Sequence, residues 1–386
     1  MNDWLDRIAG SGTATRSWRV AMLTYSVKPR GGVVHALEVS EALARRGHDV
    51  ELAALARPGE DLYRAPHVPL HLVRHVPLDA PFDERIQAMM ETYAEGLRPL
   101  LRDYDVIHAQ DCLSANAALA LRDDGVIDHV LRTVHHVDDF TSPSLIACQD
   151  RSIVEPDRVL CVSPPWVERL ADEFGIEADL VRNGVDARRY RPASERSRNG
   201  RFTVLTVGGI EPRKGSLTLL EGFAVLRDLV PEQDPVLLIA GGMTLFDYRH
   251  ERERFDSLAG ELGVSAQVLG PLPSAEMERL YGTADAFAFP SVKEGFGLAA
   301  LEALAAELPV VASDLDVFED FLIDEVSALL IPAGDGAALG RALARLALDP
   351  ALGDRLRAGG RDIVPRYTWD AAAEAHERVY EVARVG

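Results

Sequence analysis

Lysine is nearly absent from this chain. Lys28, Lys214 and Lys293 are its only lysines, and arginine supplies the remaining strong positive charge. Acids outnumber bases, 61 Asp and Glu against 41 Lys and Arg, which leaves a formal charge of −20. That balance argues against nonspecific nucleic-acid binding and leaves at most peripheral contact with an anionic membrane. Cysteine is scarce as well. Cys112, Cys148 and Cys161 share no metal-ligand spacing and fit small apolar roles in a reducing compartment. No run of about 18 apolar residues could span a bilayer, and the N-terminus lacks the apolar core of a signal peptide. The expected location is the cytoplasm.

What is present is a long alternation of apolar strands and amphipathic helices. A chain of 386 residues exceeds one ordinary core and predicts two domains. After a loosely held leader, strands are expected at Arg19–Tyr25, Val50–Leu55, Leu70–Val73, Val106–Ala109, Val130–Val134 and Val159–Val162. Helices are expected between them at Val34–Arg46, Asp83–Arg102 and Leu113–Arg122. The polar, arginine-rich segment Asp186–Arg201 reads as a linker. A second series then starts at Phe202, with strands at Thr203–Val207, Val236–Ala240, Val268–Leu269, Asp285–Phe289 and Pro309–Ala312, and helices from there to the end. The fold class is α/β, two Rossmann-like doubly wound domains facing a cleft. The predicted domains are 1–187, a linker at 188–201, and 202–365.

The densest chemistry lies in Pro290–Glu302. A strand runs into the loop Glu294-Gly295-Phe296-Gly297, which opens a helix at Leu298 and brings Glu302 onto that helix. Unpaired backbone N–H groups and the positive end of the helix dipole meet there, so the loop suits an anion. Helical side chains lean toward the N-terminus, so Glu302 can point back to the same place. All three lysines flank glycine loops: Lys28 before Gly31-Gly32, Lys214 before Gly215, and Lys293 before Gly295. Lysine beside a glycine loop suits phosphate.

These motifs, in this order, resemble the retaining glycosyltransferases of family 4, whose architecture is GT-B. The resemblance rests on Gly31-Gly32, Thr133-Val134-His135, Asn183-Gly184-Val185-Asp186, Gly208 with Lys214-Gly215, the pair Glu294 and Glu302, and Tyr367-Thr368-Trp369. It covers nearly the whole chain. It implies transfer of a hexose from a nucleoside diphosphate sugar to a hydroxyl of a small-molecule, glycan or lipid acceptor, with anomeric configuration kept. No metal and no cofactor beyond the donor co-substrate is implied. Glu294, His135 and Lys214 would be catalytic. Gly208, Gly209, Arg213, Lys214, Gly295, Phe296, Gly297, Leu298 and Glu302 would bind the donor. Gly31 and Gly32 would lie on the acceptor side. Residues 366–386 would form a terminal helix crossing back to the first domain. The protein would be a monomer or homodimer.

The chain departs from the family pattern at three places. Many relatives carry Arg where this chain has Gly209, and Arg213 beside Lys214 is the candidate to replace that charge. Asp314-Leu315-Asp316 stands where a Gly-Gly turn is common, and Glu307 where a glycine usually precedes Leu-Pro-Val. Other readings exist. Gly295–Ala300 also fits a G-x-G-x-x-A dinucleotide string, with Asp314 and Asp316 downstream, which would make the chain an NAD(P)-dependent oxidoreductase. A non-catalytic nucleotide-sugar-binding protein of the same fold is a further alternative. Asp138-Asp139 and Asp314–Asp316 could suggest metal ligands, but paired Asp residues are common in loops.

Overall fold

The computed structural model describes residues 17–192, 200–241 and 248–383. The expected leader, apart from its last residue, and residues 193–199 of the linker lie outside the described residues. The first domain runs β1 (Arg19–Thr24), α1 (Gly31–Arg45), β2 (Asp49–Ala56), β3 (Leu70–Arg74), α2 (Phe82–Leu97), β4 (Val106–Ala109), α3 (Cys112–Asp123), β5 (Leu131–Val134), α4 (Pro143–Val154), β6 (Arg158–Cys161), α5 (Pro164–Phe174) and β7 (Asp179–Leu180). The second runs β8 (Thr203–Val207), α6 (Ser216–Leu229), β9 (Val236–Ala240), α7 (Arg249–Glu261), β10 (Ala266–Gly270), α8 (Ser274–Thr283), β11 (Ala286–Phe289), α9 (Leu298–Ala305), β12 (Val310–Ser313), β13 (Ala328–Ile331), α10 (Gly336–Leu348) and α11 (Pro350–Ile363). The helix α12 (Trp369–Ala383) follows.

Strands buried on both faces need continuous apolar runs, and most of these have them. Five of the six residues of β1 are buried, as are all four of β11. The first sheet has the order β3-β2-β1-β4-β5-β6-β7 and the second β10-β9-β8-β11-β12-β13. Neighbouring strands pair in parallel, as in Val20 with Val50 and Phe287 with Val310. Both sheets reverse direction of winding beside their first strand. The crevices beyond the carboxyl ends of β1 and β4, and of β8 and β11, are therefore the natural ligand sites.

The two lobes touch. One buried cluster holds Val134, Val159 and Trp166 from the first domain with Phe289, Leu301 and Phe318 from the second. Arg189 bonds Glu38 on α1 at 2.7 Å and Glu278 on α8 at 2.9 Å. The helix α12 packs into the first domain's core through Trp369, Ala373 and Tyr380. Arg46 grips Glu377 with two bonds of 2.6 and 2.7 Å, and His48 Nε2 lies 2.8 Å from the same carboxylate. The backbone N–H of Val185 donates to the Tyr367 carbonyl at 2.9 Å, so the Asn183–Asp186 turn holds the start of this crossing segment.

Three elements were not anticipated. Beyond Ala312 the chain is not all helical, because Ala328–Ile331 adds β13 to the sheet edge; four apolar residues alone do not distinguish strand from helix. The strand β7 has two residues, too few for any period. The helix α4 starts at Pro143, a good first helical residue, but its apolar pattern is weak. Glu307 adopts φ 54°, the left-handed conformation that favours glycine. Its carboxylate pairs with Arg361 at 2.6 Å.

Candidate active site

The site is built at the switch point of the second sheet. The chain leaves β8 through Gly208-Gly209 and turns back at Gly215 into α6. Gly215 has φ 65°, and a Cβ there would stand 1.9 Å from the Pro290 carbonyl oxygen. Glycine thus lets this loop lie directly on the loop that follows β11. That contact brings Lys214 against Glu294: Lys214 Nζ donates to Glu294 Oε1 at 2.5 Å. Ser291 Oγ donates to the same oxygen at 2.8 Å, and Arg213 Nη1 lies 3.6 Å from Oε2. Arg213 is also bonded by its Nε to Glu211 at 2.9 Å. The ammonium of Lys214 rests over the Phe289 ring, 5.0 Å from its centroid.

This group is nearly dry. The Glu294 side chain is 7% exposed and that of Lys214 16%. Burial pushes the Glu294 carboxyl up, but Lys214 and Arg213 more than offset this and hold it below the usual carboxylate range. Burial pushes Lys214 below its ordinary value, against the opposing pull of Glu294. Two cations and two carboxylates, Glu294 and the buried Glu211, are therefore concentrated beside the start of α9. There Phe296, Gly297 and Leu298 carry the backbone N–H groups that open the helix. The Phe296 ring itself is core, stacked on Phe321 at 5.1 Å.

The first domain meets this loop from the other side. Gly295 lies so close to His135 that a Cβ would stand 1.8 Å from the His135 carbonyl oxygen. Ser163 Oγ donates to the Gly295 carbonyl at 2.8 Å, and Trp166 Nε1 donates to the Glu294 carbonyl at 3.1 Å. Lys293 Nζ reaches both oxygens of Asp139 at 2.8 Å. His135 turns its ring inward. Its Nε2 lies 3.0 Å from Gln110 Oε1, its ring packs 4.9 Å from that of His35, and burial keeps it well below the ordinary imidazole range. Gly32 lies under this ring, with its Cβ position 3.1 Å from His135 Cδ2, whereas Gly31 faces open space.

A cavity of about 610 Å³ opens between the lobes, floored by Arg213, Glu294 and Gly295. Its opposite wall carries His136, Asp138, Asp139, Phe140, Ser142, Leu145, Phe82 and Asp83. His136 rather than His135 lines it, with Nε2 3.3 Å from Asp138 Oδ1. Among the described residues, no three His, Cys, Asp or Glu side chains gather as a metal-ligand group.

The predicted residues do not all meet. Lys214, Arg213 and Glu294 converge, and His135 and Gly32 approach each other. Glu302 makes a separate contact: its two oxygens accept from Tyr190 at 2.7 Å and Tyr281 at 2.8 Å. Burial raises the Glu302 carboxyl, and the tyrosines oppose this. Lys28 is away from the group, paired with Glu60 at 3.0 Å. Sequence reasoning missed Tyr190, Tyr281, Ser291, Ser163 and Trp166. Ser291 lies inside the signature stretch and could have been found by proximity; the tyrosines give no signal of their own.

Paired parallel sheets with a loop-built cleft between them, and a terminal helix that crosses back to the first domain, define the GT-B class of glycosyltransferase. Sucrose-phosphate synthase from Thermosynechococcus elongatus shares the fold with a TM-score of 0.79, 22% identity, and 96% and 100% of the two chains covered. Anabaena HepE in complex with UDP-glucose matches with a TM-score of 0.76, 16% identity, and 94% and 100% coverage. Residues 29–189 match the family model for Glycosyltransferase Family 4, and residues 188–363 that for Glycosyl transferases group 1. The phosphatidyl-myo-inositol mannosyltransferase of Mycobacterium leprae is 31% identical over 379 residues, covering 94% of this chain and 96% of that protein. A D-inositol 3-phosphate glycosyltransferase of Saccharomonospora viridis is 29% identical over 422 residues, with 97% and 96% covered. The chain belongs to glycosyltransferase family 4, which removes the oxidoreductase reading. Among the described residues no helix is long and apolar enough to cross a membrane.

Proposed function

We propose that this glycosyltransferase moves a hexose from a nucleoside diphosphate sugar to an acceptor hydroxyl, with retained anomeric configuration and without a metal. The observation that carries the reading is the convergence of Lys214 and Arg213 on Glu294 at the opening of α9. Cleavage of the sugar–phosphate bond builds negative charge on the leaving oxygen. Cations fixed in a dry site stabilise that charge more in the transition state than in the ground state. Lys214, Arg213 and the backbone N–H groups of Phe296, Gly297 and Leu298 supply this, and Gly208 and Gly209 leave room for the diphosphate. Glu294, freed of part of its cationic pairing, accepts from hydroxyls of the transferred sugar. Glu302 takes the ribose hydroxyls, on a carboxylate oriented by Tyr190 and Tyr281. The His135 main chain, lying against Gly295, stands on the sugar's opposite side, while its ring is turned inward toward Gln110.

The acceptor enters from the cavity. Asp83, Asp138 and Asp139 line its far wall beside Phe82 and Phe140, while Lys293 is already paired with Asp139. That wall favours an uncharged hydroxyl compound with an apolar flank over a phosphorylated one. Two relatives are named for inositol-containing compounds, both of which carry phosphate, as a phosphodiester in one and a phosphomonoester in the other. The three cysteines are free thiols, which suits a cytoplasmic enzyme. Thermal-shift screening of UDP-, GDP- and ADP-hexoses tests the donor, because a ligand bound by the folded form raises Tm. One donor class should stand out, and its transfer product should keep the anomeric configuration by proton NMR. An inverted product, or reversible loss of activity with EDTA, contradicts the reading.

A further inference from the structure

Two of the three cysteines, distant in sequence, meet behind the cavity wall. Cys112 is the first residue of α3 and Cys148 lies in the second turn of α4. Their sulfur atoms are 3.3 Å apart, and the Cys112 sulfur is 3.5 Å from the Cys148 carbonyl oxygen. Asn116 clamps the pair. Its Nδ2 donates to the Cys112 and Cys148 carbonyls, both at 2.9 Å, and lies 3.5 and 3.3 Å from the two sulfurs. Both residues are partly exposed, whereas Cys161 is buried elsewhere. A disulfide needs the sulfurs only about 1.3 Å closer, a distance that small side-chain rotations cover.

We propose that Cys112 and Cys148 form a reversible disulfide by exchange with a low-molecular-weight disulfide, a modification site behind the acceptor wall. Cys148 is the attacking thiol. The Cys112 S–H bond to its sulfur, with Arg151 nearby, favours its thiolate, while Cys112 is held protonated. The Cys148 thiolate attacks one sulfur of the external disulfide and expels the other half as a thiolate. Cys112 loses its proton to solvent, attacks the Cys148 sulfur of the mixed disulfide and expels the second half. Two protein thiols are oxidised by two electrons, and one external disulfide becomes two thiols.

The bond would act where it matters for substrate. Ser142 and Leu145, at the start of α4, line the cavity, and Asp83 accepts hydrogen bonds from Ser142 and Ser144. Leu113 of α3 and Leu145 of α4 pack in one small cluster with Ile86. Joining α3 to α4 ties this wall to the helix beside β4. The chemistry is independent of the glycosyl-transfer reading.

The test uses the full chain in buffers of graded ratio of oxidised to reduced glutathione, quenched in acid and read by intact mass and peptide mapping. The wild type should lose about 2 Da, two of its three thiols and no more, with Cys112 linked to Cys148. Reductant should restore all three. The oxidised form should melt at higher temperature, because the bond closes a long loop in the unfolded chain. Cys148→Ser should react more slowly, and Cys112→Ser should stop at a stable glutathione adduct. Cys161→Ser should behave as wild type. Persistent glutathione adducts on the wild type, or three unreacted thiols under oxidising ratios, overturn the proposal.

Discussion

Lys214 and Glu294 form a 2.5 Å ion pair although 80 residues separate them in sequence. Neither stands on a regular element of the core. Each is delivered by a loop that leaves the carboxyl end of a neighbouring strand, β8 for the lysine and β11 for the glutamate. Ser291 and Arg213 complete the glutamate's surroundings. A buried charge with its partner removed is costly, and several consequences follow from that.

Lys214→Met strips the glutamate of its nearest cation. It should destabilise the fold by about 3 kcal/mol and weaken nucleoside diphosphate binding at least about 10-fold. Pairing it with Glu294→Gln should recover most of the stability but none of the activity. Urea melts and nucleotide titrations on the three variants read this directly. Equal stability losses in the single and double variants would mean that the two residues do not act as a pair.

Gly295→Ala places a methyl where the His135 carbonyl oxygen stands, 1.8 Å away. The lobes must shift for it to fit. The variant should lose most of its turnover and at least about 2 kcal/mol of stability. Gly31→Ala, in open space, should fold normally. Scattering profiles and denaturant melts distinguish the two.

Acid should unfold this protein through its buried histidines. His35, His108, His135 and His376 cluster where α1, β4, β5 and α12 meet, with ring centroids 4.9 to 5.5 Å apart along the chain of contacts. His35 bonds Asn183, and His108 bonds Tyr380 and Thr133, while Glu377 on α12 faces His48 instead. Burial lowers His35 to about 3 and His376 to about 4. The unfolded chain binds protons that the fold does not. Stability is therefore complete above about pH 6.5 and falls as pH drops below it, by about 1.4 kcal/mol per pH unit for each such histidine. The loss continues until the native values are reached. Denaturant melts between pH 7.5 and 5 should follow this slope, and His376→Phe should reduce it. A flat profile would show that the folded cluster takes up protons as readily as the unfolded chain.

Glu307→Gly should stabilise the protein by up to about 1 kcal/mol, because the left-handed conformation at φ 54° suits glycine. The exposed pairing with Arg361 contributes little against that. A drop in Tm would assign the glutamate a structural role that its ion pair does not explain.

Much of this was legible in the chain before any coordinates. The alternation of apolar strands and amphipathic helices carries the two-domain α/β layout. The loops at Lys214 and Glu294 announce themselves through glycine beside rare lysine. Arg213, too, could be singled out from the glycine at 209. Short elements were not legible: β13 has four residues and β7 two, below the length at which a period can be read. Contacts between distant segments were equally hidden. Nothing in the sequence says that Tyr190, in the expected linker, meets Glu302, or that His135 turns toward Gln110 while its neighbour lines the cavity. The first pairing is set by where the linker crosses the second domain, the second by packing at the ends of β4 and β5.

The sharpest measurement is turnover of a radiolabelled nucleoside diphosphate hexose by wild type and Glu294→Gln, with melting curves recorded on the same preparations. Turnover should fall at least about 100-fold while the variant still melts cooperatively and still binds the nucleoside diphosphate. Near-wild-type transfer by Glu294→Gln would mean that this carboxylate does not hold the sugar, and the assignment of the site would be wrong.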